Sequence, residues 1–164
     1  MIRKFTASFV RPSNGTVYTA GDAVCNAAGA VLTLVPAGTF KEGRIVGAKL
    51  SVSIDSVVTP TFQLFLFSDD ANIPALTDNA AFAMTAAAED DLIGYTTFTL
   101  ELTGTSGGMM TWDSNAGLLI PFEQKIVSGV PQGIYGVLTA TDAYNPYSPS
   151  TTVDVTVYVE GELE

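Results

Sequence analysis

Histidine is absent from this 164-residue chain, and cysteine occurs once, at Cys25. Without histidine, neither a Ser/His/Asp triad nor a Cys/His pair can form. A zinc site built from nitrogen and sulfur ligands also has too few donors, and a single cysteine excludes a disulfide within the chain. We therefore predict a protein that is not an enzyme and that holds no metal and no cofactor.

Basic residues are also few. The chain has seven Lys and Arg against 17 Asp and Glu, a net charge of −10, and Lys125 is the only basic residue after position 50. Nucleic-acid binding needs clustered cations to neutralise phosphates, so we expect no nucleic-acid partner. No apolar run approaches the roughly 18 residues of a membrane helix. The start of the chain also lacks the apolar region of a signal peptide, which predicts synthesis in the cytoplasm.

Two segments alternate apolar and polar residues strictly. Between Val46 and Asp55 the residues Val46, Ala48, Leu50, Val52 and Ile54 share one side, and Thr152–Glu160 repeats the pattern with four valines. Period two is typical of a β-strand with one buried face. The sequence therefore predicts an all-β protein, an antiparallel β-sandwich or jelly roll of about eight strands, folded as one domain over residues 1–164.

The other strands follow from short apolar runs between turn residues. We predict strands at Ile2–Val10, Val31–Val35, Arg44–Ile54, Thr61–Phe67, Ile93–Leu102, Leu118–Val127, Gln132–Ala140 and Thr151–Glu160, with a short extended stretch at Val17–Ala20. Thr61–Phe67 is apolar on both faces apart from Gln63, which predicts a strand covered on both sides or one that meets another subunit. Ser68–Asp91 reads as one long loop that carries a short helical turn within Ala80–Ala88.

Acidic residues cluster at both ends of that long loop. Asp69-Asp70 begins it and Glu89-Asp90-Asp91 ends it, so the two groups can approach each other. Paired carboxylates serve calcium binding or glycoside hydrolysis. The spacing matches no known calcium loop, however, and adjacent acids in a loop usually face solvent. We favour solvated carboxylates that cap neighbouring elements.

Aromatic residues offer one further candidate site. Trp112, Tyr144 and Tyr147 could form a platform on which sugars stack, as in lectin-like modules. The interpretation that we favour is a tryptophan in the core and two loop tyrosines at a contact between subunits.

Two stretches resemble small structural proteins of tailed bacteriophages. The first, Phe9–Val24, contains Arg11-Pro12, Tyr18 and Gly21-Asp22 in the order found in those proteins. The second consists of the Phe/Leu strand Gln63–Phe67, the loop Asp78–Phe82 and the following Ile93–Tyr95. The similarity covers about residues 9 to 95, and the chain departs from the pattern only in the turn at Ser13–Gly15.

The resemblance implies a capsid decoration, or cement, protein with a jelly-roll-like fold. Such a protein is made in the host cytoplasm and lies on the outer capsid surface of the virion. The implied partners are the major capsid protein and further copies of the chain, as a trimer or a dimer, with no membrane partner.

The resemblance also suggests which residues would make the contacts. Residues 1–11 would be an extended docking strand or arm, with Arg3, Lys4 and Arg11 on the capsid. Tyr144, Pro146 and Tyr147 would contact a sister subunit. The alternatives are a head-fibre or tail-associated virion protein and a carbohydrate-binding β-sandwich module.

Overall fold

The structure is a computed structural model that describes residues 1–12, 15–53, 60–100, 109–114, 118–144 and 152–163. Its elements, in chain order, are β1 (Ile2–Val10), β2 (Leu32–Val35), β3 (Phe40–Ser53), β4 (Thr61–Phe67), α1 (Ala86–Asp90), β5 (Leu92–Thr99), β6 (Met109–Ser114), β7 (Ile120–Glu123), β8 (Ile126–Val127), β9 (Val130–Pro131), β10 (Ile134–Ala140) and β11 (Thr152–Leu163).

Two antiparallel sheets face each other. The first has the strand order β1-β11-β3-β6, and β7 pairs with the early part of β3 while β6 pairs with its late part. The second has the order β2-β10-β4-β5. Because β6 and β7 share one position beside β3, each sheet has four positions. Along the chain the strands pass repeatedly from one sheet to the other, as in a jelly roll.

The predicted fold class is therefore confirmed. About eight strands were expected, and eight sheet positions are filled. The three additional strands arise because β6 and β7 divide one position and because β8 and β9 form a separate hairpin.

The core lies between the two sheets. On β11 all four predicted inward residues, Val153, Val155, Val157 and Val159, are fully buried. On the opposite sheet, β4 contributes Phe62, Leu64 and Leu66, which are equally inaccessible. Burial of this apolar surface is the main favourable contribution to folding, at roughly 25 cal/mol per Å².

The alternation predicted for β3 fails at one residue. Ala48, Leu50 and Val52 face the core as expected, but Ile45 is buried and Val46 is only half-buried. The register between β11 and β3 shifts at this point, since Tyr158 pairs with Gly47 and Val159 with Ile45. A bulge places one extra residue on a strand and reverses the side-chain order beyond it. Ile54 lies outside the described residues.

The outer face of β4 is covered by the protein itself. Phe67 and Val137 form a second apolar cluster with Ala88 of α1, and Phe65 contacts Phe82 at 5.8 Å between ring centroids. The long loop after β4 thus folds back over the second sheet. A helical turn was expected within Ala80–Ala88; the helix present, α1, begins only at Ala86 and continues to Asp90. The Thr85 hydroxyl caps it by accepting a hydrogen bond from the Ala88 N–H.

Other sequence predictions were wrong in detail. The strand expected at Leu118–Val127 is divided into β7 and β8, and no strand was predicted at β6. In place of a strand at Val17–Ala20, only Tyr18 forms a bridge, to Tyr144.

Candidate functional site

The predicted docking residues do not share one environment. Arg3 and Lys4 lie exposed on β1, which pairs with β11 along its whole length from Ile2 to Val10. The part of the chain expected to be a docking strand or arm is thus an edge strand of the first sheet. Its role in docking remains a prediction.

Arg11 is buried, which corrects its proposed placement at a surface. Only 1% of the residue is exposed. One guanidinium nitrogen donates a hydrogen bond to the Tyr18 hydroxyl at 3.2 Å, and another donates to the Pro12 carbonyl at 3.0 Å. The guanidinium carbon also lies 5.1 Å from the centre of the Tyr18 ring, within the range of a cation–π interaction. Arg11 therefore stabilises the chain's own interior.

Tyr144 is buried too, with 2% of its surface exposed. Its ring stacks on Tyr18 at 5.0 Å between centroids and meets the edge of Phe62 at 5.4 Å. Burial raises the pKa of Tyr144 to about 12. The Tyr144 side chain is thus occupied within its own subunit, contrary to the proposed subunit contact. Pro146 and Tyr147 lie outside the described residues.

A buried polar cluster connects these side chains. The Tyr18 hydroxyl accepts from Arg11 and donates to a carboxylate oxygen of Asp78 at 2.6 Å. The same oxygen accepts from the Cys25 N–H at 3.2 Å. Burial, followed by the hydrogen bond to Asp78, raises the pKa of Tyr18 far above its usual value. The hydroxyl consequently stays protonated and keeps donating to Asp78.

The cluster joins the two stretches that carry the family resemblance. Besides the Tyr18–Asp78 bond, the Ala23 N–H donates to the Ala80 carbonyl, the Asn79 N–H to the Ala23 carbonyl and the Phe82 N–H to the Gly21 carbonyl. Asp22 closes the preceding turn by accepting from the Thr19 N–H at 2.6 Å. Residues about sixty positions apart in the sequence are thus assembled into one unit. The sequence contains both motifs but no pattern that would predict their contact.

The acids at the ends of the long loop meet as expected, but a lysine lies between them. The Lys125 ammonium contacts Asp69 at 3.0 Å and also binds Asp91, while Asn72 donates to Asp91 at 2.9 Å. Both aspartates are buried, so the expectation of solvated carboxylates was wrong for this pair. The only basic residue in the second part of the chain, Lys125, therefore offsets one of the two negative charges and holds both carboxylates together.

The described portions of the chain contain no group of three or more His, Cys, Asp or Glu side chains placed to hold a metal ion. Likewise, among the residues that the structure describes, no helix has the length and apolar character needed to cross a membrane.

The carbohydrate hypothesis depends on Trp112. Its backbone lies on β6 in register with Leu50 of β3. Of its proposed companions in a sugar platform, Tyr144 is buried against Tyr18, and so cannot offer a ring face to a ligand.

Cys25 is expected to be unreactive in the folded protein. Burial, with a smaller contribution from the Asp78 charge, raises the pKa of the thiol from 9.0 to about 11. Because the thiolate is the nucleophile, alkylation at mildly alkaline pH should be at least about 100-fold slower than in the urea-unfolded chain. Iodoacetamide labelling followed by mass spectrometry measures both rates, and equal rates would contradict the burial.

Comparison with known proteins gives no family. No family model and no curated protein matches the chain. Among solved structures, the chain is similar to one titled the cyanophage Pam1 capsid asymmetric unit, with 17% identity over 96% of this chain and 83% of that one and a TM-score of 0.35.

Two further similar structures are those of a T=1 Penaeus vannamei nodavirus and of a 60-mer BFDV capsid protein. The first is 13% identical over 98% of this chain and 58% of that one, with a TM-score of 0.36. The second is 14% identical over 99% and 93%, with a TM-score of 0.31. Several of the neighbours are thus viral capsid proteins, but similarity at this level assigns the chain to no family.

Proposed function

We propose that this protein is a structural component of a phage virion, a decoration or cement protein that binds the outer capsid surface and stabilises contacts between capsomers. The observation that carries the proposal is the hydrogen bonding of Tyr18–Ala23 to Asp78–Phe82. Both segments lie within the stretches that resemble phage structural proteins. The residues that carry the resemblance are therefore in contact in the folded protein, although they are far apart in the sequence.

The surface of β1 supports this proposal. Arg3 and Lys4 are exposed, adjacent in sequence and placed at one end of an edge strand. The chain as a whole is strongly acidic, with a net charge of −10. An acidic surface of the major capsid protein would therefore be attracted to this exposed basic pair. Many identical copies on one shell would add their modest individual affinities across the capsomer seams.

Charge reversal on β1 tests the docking. Purified protein is mixed with expanded heads that lack it, and the bound fraction is measured after sedimentation. Arg3→Glu and Lys4→Glu should each weaken binding by about tenfold or more, because a cation opposite acidic groups is replaced by a like charge. Lys41→Glu makes the same change at an exposed residue of β3 and should bind as the wild type does. If Arg3→Glu and Lys4→Glu bind to heads as well as Lys41→Glu and the wild type do, β1 has no role in docking.

Copy number separates the proposal from its alternatives. Quantitative mass spectrometry of intact particles should find hundreds of copies if the protein decorates the head. A few dozen or fewer would indicate a head-fibre or tail-associated role instead. Absence from particles, together with glycan binding that is lost in Trp112→Ala, would favour the carbohydrate-binding module.

A further inference from the structure

Within the part of the chain that the structure describes, strand β1 has one backbone edge that pairs with no other strand. It is the terminal strand of the first sheet, and among the described residues β11 is the only strand that pairs with it. From Phe5 to Val10 the strand contains no charge, proline or glycine. Exposed edges of this length are usually protected by such residues, because a free edge invites pairing with another chain.

The exposed side chains of β1 form a pattern that is complementary to itself. Thr6, at the centre of the strand, faces outward and hydrogen-bonds Thr156 of β11 at 2.8 Å. Ile2 and Val10 lie four residues to either side of Thr6 on the same face, and they are 61% and 53% exposed. If a second β1 lies antiparallel to the first with Thr6 opposite Thr6, each Ile2 comes opposite a Val10 of the other copy.

Charges fit the same register. Lys4 comes opposite Ser8 of the other copy, and the Ser8 hydroxyl donates to Asp154 of β11 at 2.5 Å. Lys4 of one copy and Asp154 of the other are then two strand spacings apart, about 10 Å, which their side chains can span together. The two Arg3 side chains lie near opposite ends of the strand pair. No like charges face each other.

We infer that β1 pairs with β1 of a second copy across a two-fold axis, so that the first sheets of two subunits form one continuous sheet. The arrangement has Thr6 opposite Thr6, Lys4 opposite Ser8 and Ile2 opposite Val10. An interface that uses the same patch on both subunits is the form that a two-fold dimer requires. The inference concerns copies of this chain alone and does not depend on the capsid proposal.

Cysteine cross-linking tests the register directly. In Thr6→Cys the two introduced thiols should lie within the distance of a disulfide, so an added oxidant should convert most of the protein to a covalent dimer. Ser8→Cys is the matched control. Ser8 lies opposite Lys4 of the other copy and not opposite the other Ser8, so the two introduced thiols should be too far apart to link. The wild type gives the background, since its only cysteine, Cys25, is buried. Circular dichroism verifies that each variant is folded.

A charge exchange tests the Lys4–Asp154 contact by sedimentation. Lys4→Asp and Asp154→Lys should each raise the dimer dissociation constant by about tenfold, because each places like charges together. The double variant restores opposite charges and should recover most of the affinity. A protein that sediments as a monomer, or a Thr6→Cys variant that links no better than Ser8→Cys, would overturn the inference.

The two proposals fail in different experiments. Dimerisation is measured on the free protein, whereas docking is measured with heads. Lys4 is assigned to both contacts, so Lys4→Glu should weaken both docking and the dimer. Arg3→Glu separates the two: it should weaken docking and leave the dimer unchanged, because Arg3 comes opposite the uncharged Phe9 in the proposed pairing.

Discussion

Replacing Arg11 with methionine should lower the free energy of unfolding by about 3 kcal/mol, the largest effect that we expect from any single change of a charged residue. Arg11 is 1% exposed, and its guanidinium donates to both the Tyr18 hydroxyl and the Pro12 carbonyl. Methionine fills a similar volume but supplies no donor and no charge. The buried Tyr18 hydroxyl and the half-buried Pro12 carbonyl would each lose a donor, and the loss of a partner at a buried group costs more than the bond itself contributes. Urea denaturation followed by fluorescence measures the change.

Arg3→Met is the matched control for this prediction. It makes the same substitution on an exposed arginine near the other end of β1, and it should change stability by no more than about 0.5 kcal/mol. Arg11→Lys, which keeps the charge but loses the forked donor geometry, should fall between the two. If Arg11→Met and Arg3→Met are equally stable, the buried cluster contributes nothing to folding.

The fold was predictable because strand patterning is local. The alternation of β11 reflects the burial of every second residue, and all four of its alternating valines lie on the buried face. The same reasoning failed at Val46, because the bulge there is a property of how β11 meets β3 and not of either strand alone. The strand β6 was missed for a related reason, since Met109–Ser114 shows no clean alternation.

The polar clusters were less accessible to sequence analysis. Charged side chains are mostly exposed, so Arg11 was placed at the surface. Its burial depends on a tyrosine bonded to Asp78, and that carboxylate lies 60 positions beyond Tyr18. The approach of Asp69 and Asp91 was foreseen, since both ends of one loop are involved. The contact of Lys125 with this pair was not foreseen, because Lys125 lies in another part of the chain.

Lys125→Met should be the second most destabilising change, at about 2 to 3 kcal/mol. The ammonium joins Asp69 and Asp91, whose side chains are only 5% exposed. Removing it leaves two buried carboxylates without their cation, which costs several kcal/mol in a dry site. We expect the lower part of that range because the Lys125 side chain itself is 34% exposed and water can reach the gap. Lys41→Met, at an exposed lysine, is the control and should be near neutral.

The effect of Lys125→Met should depend on pH. Burial alone would raise the pKa of Asp69, but the Ala71 N–H and the Lys125 ammonium together lower it below its usual 3.8. A carboxyl whose pKa is lower in the folded state stabilises the protein above its ordinary pKa and loses that contribution as pH falls through the folded value. The two aspartates raise the pKa of Lys125 above 10.5, so its contribution is complete below that pH and is lost above it.

The difference in stability between wild type and Lys125→Met should thus be largest around neutral pH and shrink below pH 3.8, as Asp69 takes up its proton. Urea titrations across this range measure it. A difference that stays constant with pH would mean that the lysine acts through the packing of its aliphatic stem. In that case the positive charge of Lys125 would not stabilise the contact between the end of β7 and the long loop.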